Sequence, residues 1–322
     1  MDGYYGAASS KMNAYLKYLQ ERIDKDAGYR MVARSPYDLK YLDLNFFLTA
    51  EKLFGEAEAR LKPGSLEMQH VQRERFIVDG ALLQLWPWLD RKLAANAKMP
   101  FDHETLIRRY EANWRAHVKL YWHRFYSKAG RIDKLAALFR DPQWPGQFRN
   151  LPPRDVADFT WLTFSGWYSS PEMFVDDKEA AGEMALAFAG MKDEAHQKPL
   201  TFWVSGGAIV TLKPEAIPQD GRYHVYKIGR VNVKKWVSEK DRGTIVWAAI
   251  EDKKFRVNVG QLCVTNAQDC RVNDWDAYIS LKVKGPAYVK GSTESNGVGI
   301  DRVLLVKPQP GEDVVHATEL PP

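Results

Sequence analysis

Cysteine is scarce in this sequence, with two in 322 residues, and long apolar runs are missing. A membrane-spanning helix needs about 20 consecutive apolar residues, and no stretch approaches that length, so we expect no membrane as a partner. The net charge is only +5, from 46 basic and 41 acidic residues dispersed along the chain. Nucleic-acid-binding proteins gather their basic residues into one patch or stripe. The charge pattern therefore argues against nucleic acid as a partner.

The common catalytic and cofactor-binding motifs are also missing. The sequence has no GxGxxG, P-loop, HExxH or GxSxG pattern. Its histidines include His103, His117 and His123, in or near one helix-like segment. His117 and His123 are six positions apart and fall on different helical faces, whereas paired metal ligands on a helix prefer i, i+4 spacing. We expect histidines at the surface or the core edge, no metal and no assignable catalytic residue.

Acidic residues are so numerous that the sequence can always supply the two carboxylates that glycoside hydrolysis requires. Four of them fall in loop-like segments of the second half and are candidates for structural calcium: Asp176, Asp177, Asp274 and Asp276. Their spacing matches no calcium loop. We therefore expect solvated turn acids, no cofactor and no catalytic pair.

Cys263 and Cys270 flank the turn-like stretch "TNAQD" between two strand-like runs. If the two runs form a hairpin, the thiols can meet across the strands and form a disulfide. A disulfide would indicate the periplasm or the cell exterior, but two unpaired thiols fit the same spacing. Both readings stay open. The CxxC spacing of zinc sites is absent.

The first part of the chain has helical periodicity. Apolar residues recur three and four positions apart, and polar residues that cap helices precede several of these runs. Ser35 is the predicted start of a helix that ends at Pro63–Gly64. Ser65 and Asp102 start two more helices, and Pro87 should kink or split the first of these two. The pattern predicts a helical bundle over residues 1–140.

A proline-rich stretch over residues 141–155 predicts a linker, because its prolines cannot continue a helix. Residues 156–312 then contain short runs rich in β-branched and aromatic residues, separated by turn residues. Many short strands without intervening helices are typical of an antiparallel β-sandwich. Residues 313–322 form a tail. The fold class is thus multidomain α and β, with a helical bundle followed by a β-sandwich.

Aromatic residues are the strongest compositional feature, with 11 tryptophans and 15 tyrosines. Such rings either fill a core or offer a flat face for stacking on a sugar. The candidates for carbohydrate binding come near turns or at alternating strand positions: Trp167, Tyr168, Trp203, Trp236, Trp247 and Trp275. Because large rings are mostly buried, we expect the majority in the core and at least one at the surface.

Tyr4 and Tyr5 stand between glycines, just before an amphipathic helix that begins near Met12. Bulky rings normally pack against something, and almost nothing precedes these two. We therefore expect Tyr4 and Tyr5 to pack against a partner, either another domain or a second copy of the chain.

Several stretches resemble a known family. "DGYYGAASSKMNAYLKYLQ", "AEKLFGEAEARL" and "RFIVDGALLQLW" resemble the helical region that follows the (β/α)₈ barrel in uncharacterised bacterial glycoside-hydrolase-like proteins related to α-glucuronidases. "RYHVYKIGRV" and "DAYISLKVKGPAYVKGSTESNGVGIDRVLLVK" resemble the C-terminal sandwich of those proteins, a jelly-roll similar to galactose-binding-like modules. The matching residues are framework residues without a catalytic signature. Ala7 stands where the family's turn has proline.

The resemblance implies that a catalytic barrel, absent from this sequence, packs on Tyr4 and Tyr5. It also implies an extracellular or periplasmic protein. Our first hypothesis is a noncatalytic, carbohydrate-associated protein whose sandwich binds a polysaccharide or oligosaccharide. The alternatives are a glycoside hydrolase that acts on uronic-acid-containing polysaccharide through an unlocated carboxylate pair, and a scaffolding module without sugar affinity.

Overall fold

A computed structural model describes residues 1–25, 39, 41–93, 97–117, 131–152, 155–158, 174–180, 183–187, 199–204, 209–232, 246–250, 256–260, 274–284 and 297–308. Helices occupy the N-terminal part and antiparallel sheets the later part, which makes this a mixed α and β chain. The chain divides into two compact units, Met1–Arg140 and Asp141–Pro322.

The helical unit is a series of helices in which neighbours in sequence are also neighbours in space. Its helices are α1 (Asp2–Tyr5), α2 (Ser9–Asp24), α3 (Leu44–Glu58), α4 (Leu66–Lys92), α5 (His103–His117) and α6 (Arg131–Arg140). Helix α2 packs on α3, α3 on α4, α4 on α5, and α5 on α6. The short α1 also contacts α4, which brings the N-terminus against the longest helix.

Side-chain caps fix where three of these helices begin. The Ser65 hydroxyl accepts a hydrogen bond from the Met68 amide at 3.2 Å. The Asp102 carboxylate accepts one from the Thr105 amide at 2.7 Å. Each cap satisfies an amide that has no partner within its helix, and both predicted starts are confirmed. Helix α3 begins later than predicted, because Asp43 caps it by accepting from the Phe46 amide at 2.8 Å.

The predicted helix from Ser35 to Pro63–Gly64 is therefore too long at both ends, and Ser35 itself lies outside the described residues. Helix α4 runs unbroken through Pro87, so the predicted split is wrong. Leu85 and Leu89 are buried on either side of the proline. Their burial stabilises the helix against the loss of one backbone hydrogen bond.

The core of the helical unit is built largely from aromatic rings. Phe76 of α4 stacks on Tyr110 of α5 with the ring centroids 4.8 Å apart, and Trp114 meets Phe76 edge-on at 5.8 Å. Gly80 makes room for this packing, since a Cβ there would lie 2.9 Å from the Tyr110 ring. Helix α3 contributes a further buried set: Phe46, Phe47, Ala50, Phe54 and Ala57.

The second unit contains two antiparallel sheets. The larger, six-stranded sheet has the order β2 (Phe174–Asp176), β3 (Met184–Ala187), β10 (Gly297–Val306), β9 (Asp276–Lys284), β6 (Asp220–Arg230), and β1 (Val156–Asp158) also pairs with β10. The smaller, four-stranded sheet has the order β5 (Ile209–Leu212), β4 (Leu200–Val204), β7 (Val246–Ile250), β8 (Arg256–Gly260).

One face of the larger sheet is entirely apolar along β9, where the residues of that face are all buried: Ala277, Ile279, Leu281 and Val283. The opposite face packs against the segment after Arg140. Phe148 joins a core cluster there with Val225 and Tyr278, and the Arg302 guanidinium donates to the Pro142 carbonyl at 2.6 and 3.2 Å. The part of the proline-rich stretch that the structure describes thus packs on this sheet.

Candidate functional site

The smaller sheet aligns two tryptophan positions in one row across its four strands. Trp203 on β4 pairs with Ile209 on β5 and with Trp247 on β7, and Trp247 pairs with Asn258 on β8. We call these four positions the tryptophan row. Directly paired residues share a face of an antiparallel sheet. A second row, two residues along each strand, is the threonine row: Thr211, Thr201, Ala249 and Arg256.

The face that carries these rows is the outer face of the smaller sheet. Ile209 is 63 % exposed and Thr211 is exposed, whereas Val210 and Leu212 between them are buried. Successive residues of a strand face opposite sides, so the Ile209 side faces solvent and the Val210 side faces a core. The hydroxyls of Thr201 and Thr211 lie 3.1 Å apart on the exposed side.

The four described strands that form this face carry almost no charge. The four strands read IVTL, LTFWV, VWAAI and RVNVG, and Arg256 is their single charged residue. None of these strands carries a carboxylate or a histidine. By backbone register, the two rows place two tryptophan positions beside two threonine positions. That combination suits stacking and hydrogen bonding.

Trp275, another predicted carbohydrate-binding residue, is buried rather than exposed. Trp275 is 7 % exposed just before β9, and its carbonyl accepts a hydrogen bond from the Val231 amide at 2.9 Å. Its ring is therefore a core residue and offers no face to a ligand. Three further candidates lie outside the described residues, as do both cysteines: Trp167, Tyr168, Trp236, Cys263 and Cys270.

Tyr4 and Tyr5 have different environments although they are neighbours. The Tyr4 ring stacks on the His70 ring of α4 with the centroids 3.6 Å apart and the planes 2° from parallel. Its carbonyl oxygen lies 2.7 Å from His70 Nδ1. Even so, Tyr4 remains 41 % exposed, whereas Tyr5 is only 4 % exposed. Tyr5 is thus buried within its own chain, and of the two tyrosines only Tyr4 offers substantial surface to a partner.

Behind the exposed ring, Tyr5 hydrogen-bonds the Glu74 carboxylate of α4. Burial, together with the nearby Glu74 charge, raises the pKa of Tyr5 to about 12. Burial also raises the pKa of Glu74. The turn that brings the tyrosines onto α4 uses Gly6 at φ 51°, where a Cβ would lie 3.1 Å from the Glu67 side chain. Both conditions favour glycine at this position.

Two of the acids expected in solvated turns are buried ion-pair partners instead. Asp276 is fully buried at the start of β9, 2.9 Å from Lys227 Nζ, and it accepts two hydrogen bonds from Arg230 at 2.8 and 3.1 Å. Asp177 accepts a hydrogen bond from the Tyr223 hydroxyl at 2.9 Å and pairs with a buried lysine. The expectation was wrong for Asp276 and Asp177 because their cationic partners lie on strands distant in sequence.

The remaining two acids of that group differ from these. Asp274 is exposed, as expected of a turn acid, and adopts a φ of 61°. Aspartate tolerates this left-handed conformation better than most residues. Asp176 is the last residue of β2.

A charged network joins α3, α4 and α5. Arg75 donates to Glu51 and to Glu58, each at 2.5 Å. Arg109 donates to Glu51 at 2.9 Å and to Asp79 at 2.7 and 2.8 Å. Burial raises the pKa of both Asp79 and Glu58. Each carboxylate has a guanidinium partner, which suits a role in holding three helices together.

Among the described residues, the histidines and the other possible metal ligands do not form a second candidate site. His117 is buried, and burial lowers its pKa. His103 lies against the Trp86 ring at 4.3 Å. In the part of the chain that the structure describes, no group of three or more His, Cys, Asp or Glu residues is arranged to hold a metal. No helix among those residues is long and apolar enough to cross a membrane.

The sequence indicates the two tryptophans of the row but not that they are paired. Both tryptophans fall in strand-like runs, but nothing local shows that they pair, because the pairing depends on the register of β4 with β7. Comparison of the chain with protein-family models, with curated proteins and with solved structures gives no match in any of the three.

Proposed function

We propose that the chain is a noncatalytic, carbohydrate-binding protein whose β unit holds a polysaccharide on the outer face of the smaller sheet. The observation that carries this proposal is the pairing of Trp203 with Trp247 in one row with the exposed Ile209. Indole faces stack on the apolar CH faces of sugars, and the neighbouring threonine row supplies hydroxyls for the sugar's own hydroxyl groups.

The proposed fold of the β unit is the jelly-roll sandwich of galactose-binding-like modules. Contacts of β4 with β6 and of β8 with β10 support it, since they join the two sheets. The buried alternation of Val210 and Leu212 on β5 also supports it. In a sandwich, one face of each sheet packs into the core and the other stays outside. The tryptophan row is then on an outside face, as a binding platform requires.

The charge distribution favours binding without hydrolysis. Glycoside hydrolysis uses two carboxylates about 5–10 Å apart on either side of the sugar bond. The strands of the outer face carry none. Asp177 and Asp276 of the larger sheet are buried and paired with lysine. A carboxylate held by a buried cation is poorly placed to accept a substrate proton.

A second candidate function, an interaction module, has its own supporting observation. Around α1, several large apolar residues are exposed, with exposed fractions of 51 % for Met1, 41 % for Tyr4, 61 % for Leu66 and 57 % for Ile77. Leu66, His70 and Ile77 are four and seven positions apart, which places them on one face of α4. This surface suits a protein partner, such as the barrel that the family resemblance implies or a second copy of the chain.

Affinity electrophoresis through gels that contain single polysaccharides tests the carbohydrate proposal. We expect at least one plant or algal polysaccharide to retard the wild-type chain. Trp203→Ala and Trp247→Ala should each weaken binding about tenfold, since an aromatic stacking contact of about 1–1.5 kcal/mol corresponds to roughly that factor.

Trp88→Phe, on α4 of the helical unit, is the matched control and should migrate like the wild type. Circular dichroism of every variant checks that it is folded. Unretarded migration of the folded wild type in every gel would overturn the carbohydrate proposal. Equal retardation of the wild type and both alanine variants would show that the tryptophan row is not the carbohydrate-binding site.

A further inference from the structure

We infer that the ligand of the outer face is a neutral, linear polysaccharide that lies across the strands along the tryptophan row. This inference rests on the proposed function and deepens it. It names the charge class of the ligand and the direction in which its chain runs.

The scarcity of charge on the four described strands of the outer face argues for a neutral ligand. A chain of uronic acids or sulfated sugars carries a negative charge at short intervals, and its recognition needs cations in matching positions. The four strands of the smaller sheet supply one, Arg256, which stands at the β8 end of the threonine row. The tryptophan row itself contains only apolar and amide residues.

The buried cations of the larger sheet do not compensate for this deficit. Lys227 and Lys282 are both buried and paired with aspartates. Arg302 is buried as well and donates to the Pro142 carbonyl. A buried cation would have to give up its present partner to bind an anionic ligand, and breaking that buried pair costs free energy. Among the described residues of the two sheets, the outer face therefore matches an uncharged chain.

The direction of the row argues for a linear chain bound along its length. Neighbouring strands are about 4.8 Å apart, so the row spans roughly 14 Å from β5 to β8. Trp203 and Trp247 are adjacent in the row, and directly paired residues have Cβ atoms about 5 Å apart. That separation is comparable with the length of one pyranose unit in an extended chain. Successive sugar units can therefore occupy the two tryptophan positions.

The ends of the row favour internal segments of a chain over chain ends. Ile209 continues the row on one side of the tryptophan pair, and Asn258 continues it on the other. A bound chain thus passes the pair in both directions. The threonine row runs parallel to it two residues away, with its two hydroxyls 3.1 Å apart. A terminal sugar would use one position of the row and leave the rest empty.

Isothermal titration calorimetry of the full chain with two oligosaccharide series tests this inference. One series is β-1,4-linked glucose from the monosaccharide to the hexasaccharide, and the other is galacturonic acid of the same lengths. We expect affinity for the glucose series to rise at least tenfold from monosaccharide to trisaccharide and then to level off. Blocking the reducing end as a methyl glycoside should leave the affinity unchanged. Added salt should change it little, because no ion pairs form.

Substitutions test which residue causes the rise of affinity with oligosaccharide length. Trp247→Ala should remove most of the affinity gained between the monosaccharide and the disaccharide. Trp247→Phe keeps an aromatic face and should retain most of the wild-type binding. It serves as the folded, conservative variant if the alanine variant is unstable. Trp88→Phe is again the control in the other unit and should leave the length series unchanged.

Three results would overturn the inference, and they differ in whether the proposed function also fails. A monosaccharide that binds as tightly as the hexasaccharide would indicate a pocket for a single sugar. Tighter, salt-sensitive binding of the galacturonic series would indicate an acidic ligand. Both would leave the proposed function intact. If the wild type binds neither series nor any gel polysaccharide, both the inference and the proposed function fail. In that case, capture of a protein partner by the wild type but not by Trp203→Ala would assign the face to protein docking.

Discussion

Asp276 and Lys227 lie on the neighbouring strands β9 and β6, with a carboxylate and an ammonium group buried 2.9 Å apart. Arg230 closes the group by donating two hydrogen bonds to the same carboxylate. Removing one partner of a buried ion pair leaves the other charge uncompensated, which destabilises far more than removal of a surface pair. The stability of the β unit should therefore depend on Asp276.

We expect Asp276→Asn to lower the free energy of unfolding by about 3 kcal/mol. The amide keeps the size and one acceptor oxygen but leaves Lys227 without a counter-charge. Urea denaturation followed by circular dichroism measures the change. Asp220→Asn, at an exposed pair with His224 on the same unit, is the control and should cost less than about 1 kcal/mol. Equal effects of the two substitutions would contradict the structural role given to Asp276.

Residue environments were the hardest feature to predict from the sequence. Tyr4 and Tyr5 were predicted to pack against a partner. Their contacts with His70 and Glu74 of the same chain depend on the turn at Gly6, which the sequence does not reveal. Trp275 lies in a run of polar residues that suggests a loop, and its burial follows from the pairing of β6 with β9. Local sequence predicts neither, because each environment is supplied by residues distant in the chain.

Gly80 lies at a point of close approach between α4 and α5. Alanine there would place a Cβ 2.9 Å from a Tyr110 ring that is itself stacked on Phe76. The ring has little room to move. The gain in helix propensity, about 0.5–1 kcal/mol, is therefore outweighed by overpacking, which costs about 1–3 kcal/mol.

Gly80→Ala should consequently destabilise the helical unit by about 1–2 kcal/mol. Gly55→Ala on α3 is the matched substitution, because a Cβ there meets nothing within 4 Å. It should stabilise the unit by about 0.5–1 kcal/mol. Thermal unfolding of both variants separates the two effects by sign. Stabilisation by Gly80→Ala would show that α4 and α5 are not packed as closely as the structure has them.

Helix starts were predictable where the signal is local. Ser65 and Asp102 each bond an amide three residues ahead, and that spacing is written in the sequence. Ser35 carries the same local signal, yet Asp43 caps α3 because Phe46 and Phe47 begin the buried face only there. Proline rules alone predicted a kink or a split at Pro87. The helix is not split there, because the buried leucines around the proline outweigh one missing hydrogen bond.

At the scale of the whole molecule, periodicity was enough to predict helices first and antiparallel strands later, since each element carries its own pattern. The pairing of strands was not predictable. The order of the larger sheet places β10 beside β9, β3 and β1, which come from widely separated parts of the chain. The tryptophan row is a product of such pairing, and it becomes visible only when β4, β5, β7 and β8 are assembled.

We propose that this assembled face binds polysaccharide without cleaving it. Titration of the purified chain with a panel of neutral and uronic-acid polysaccharides tests the claim most directly, with tryptophan fluorescence and the release of reducing ends recorded on the same samples. We expect a saturable fluorescence change with at least one neutral polymer and no new reducing ends. Release of reducing ends would show that the chain carries catalytic acids, and unchanged fluorescence with every polymer would contradict carbohydrate binding itself.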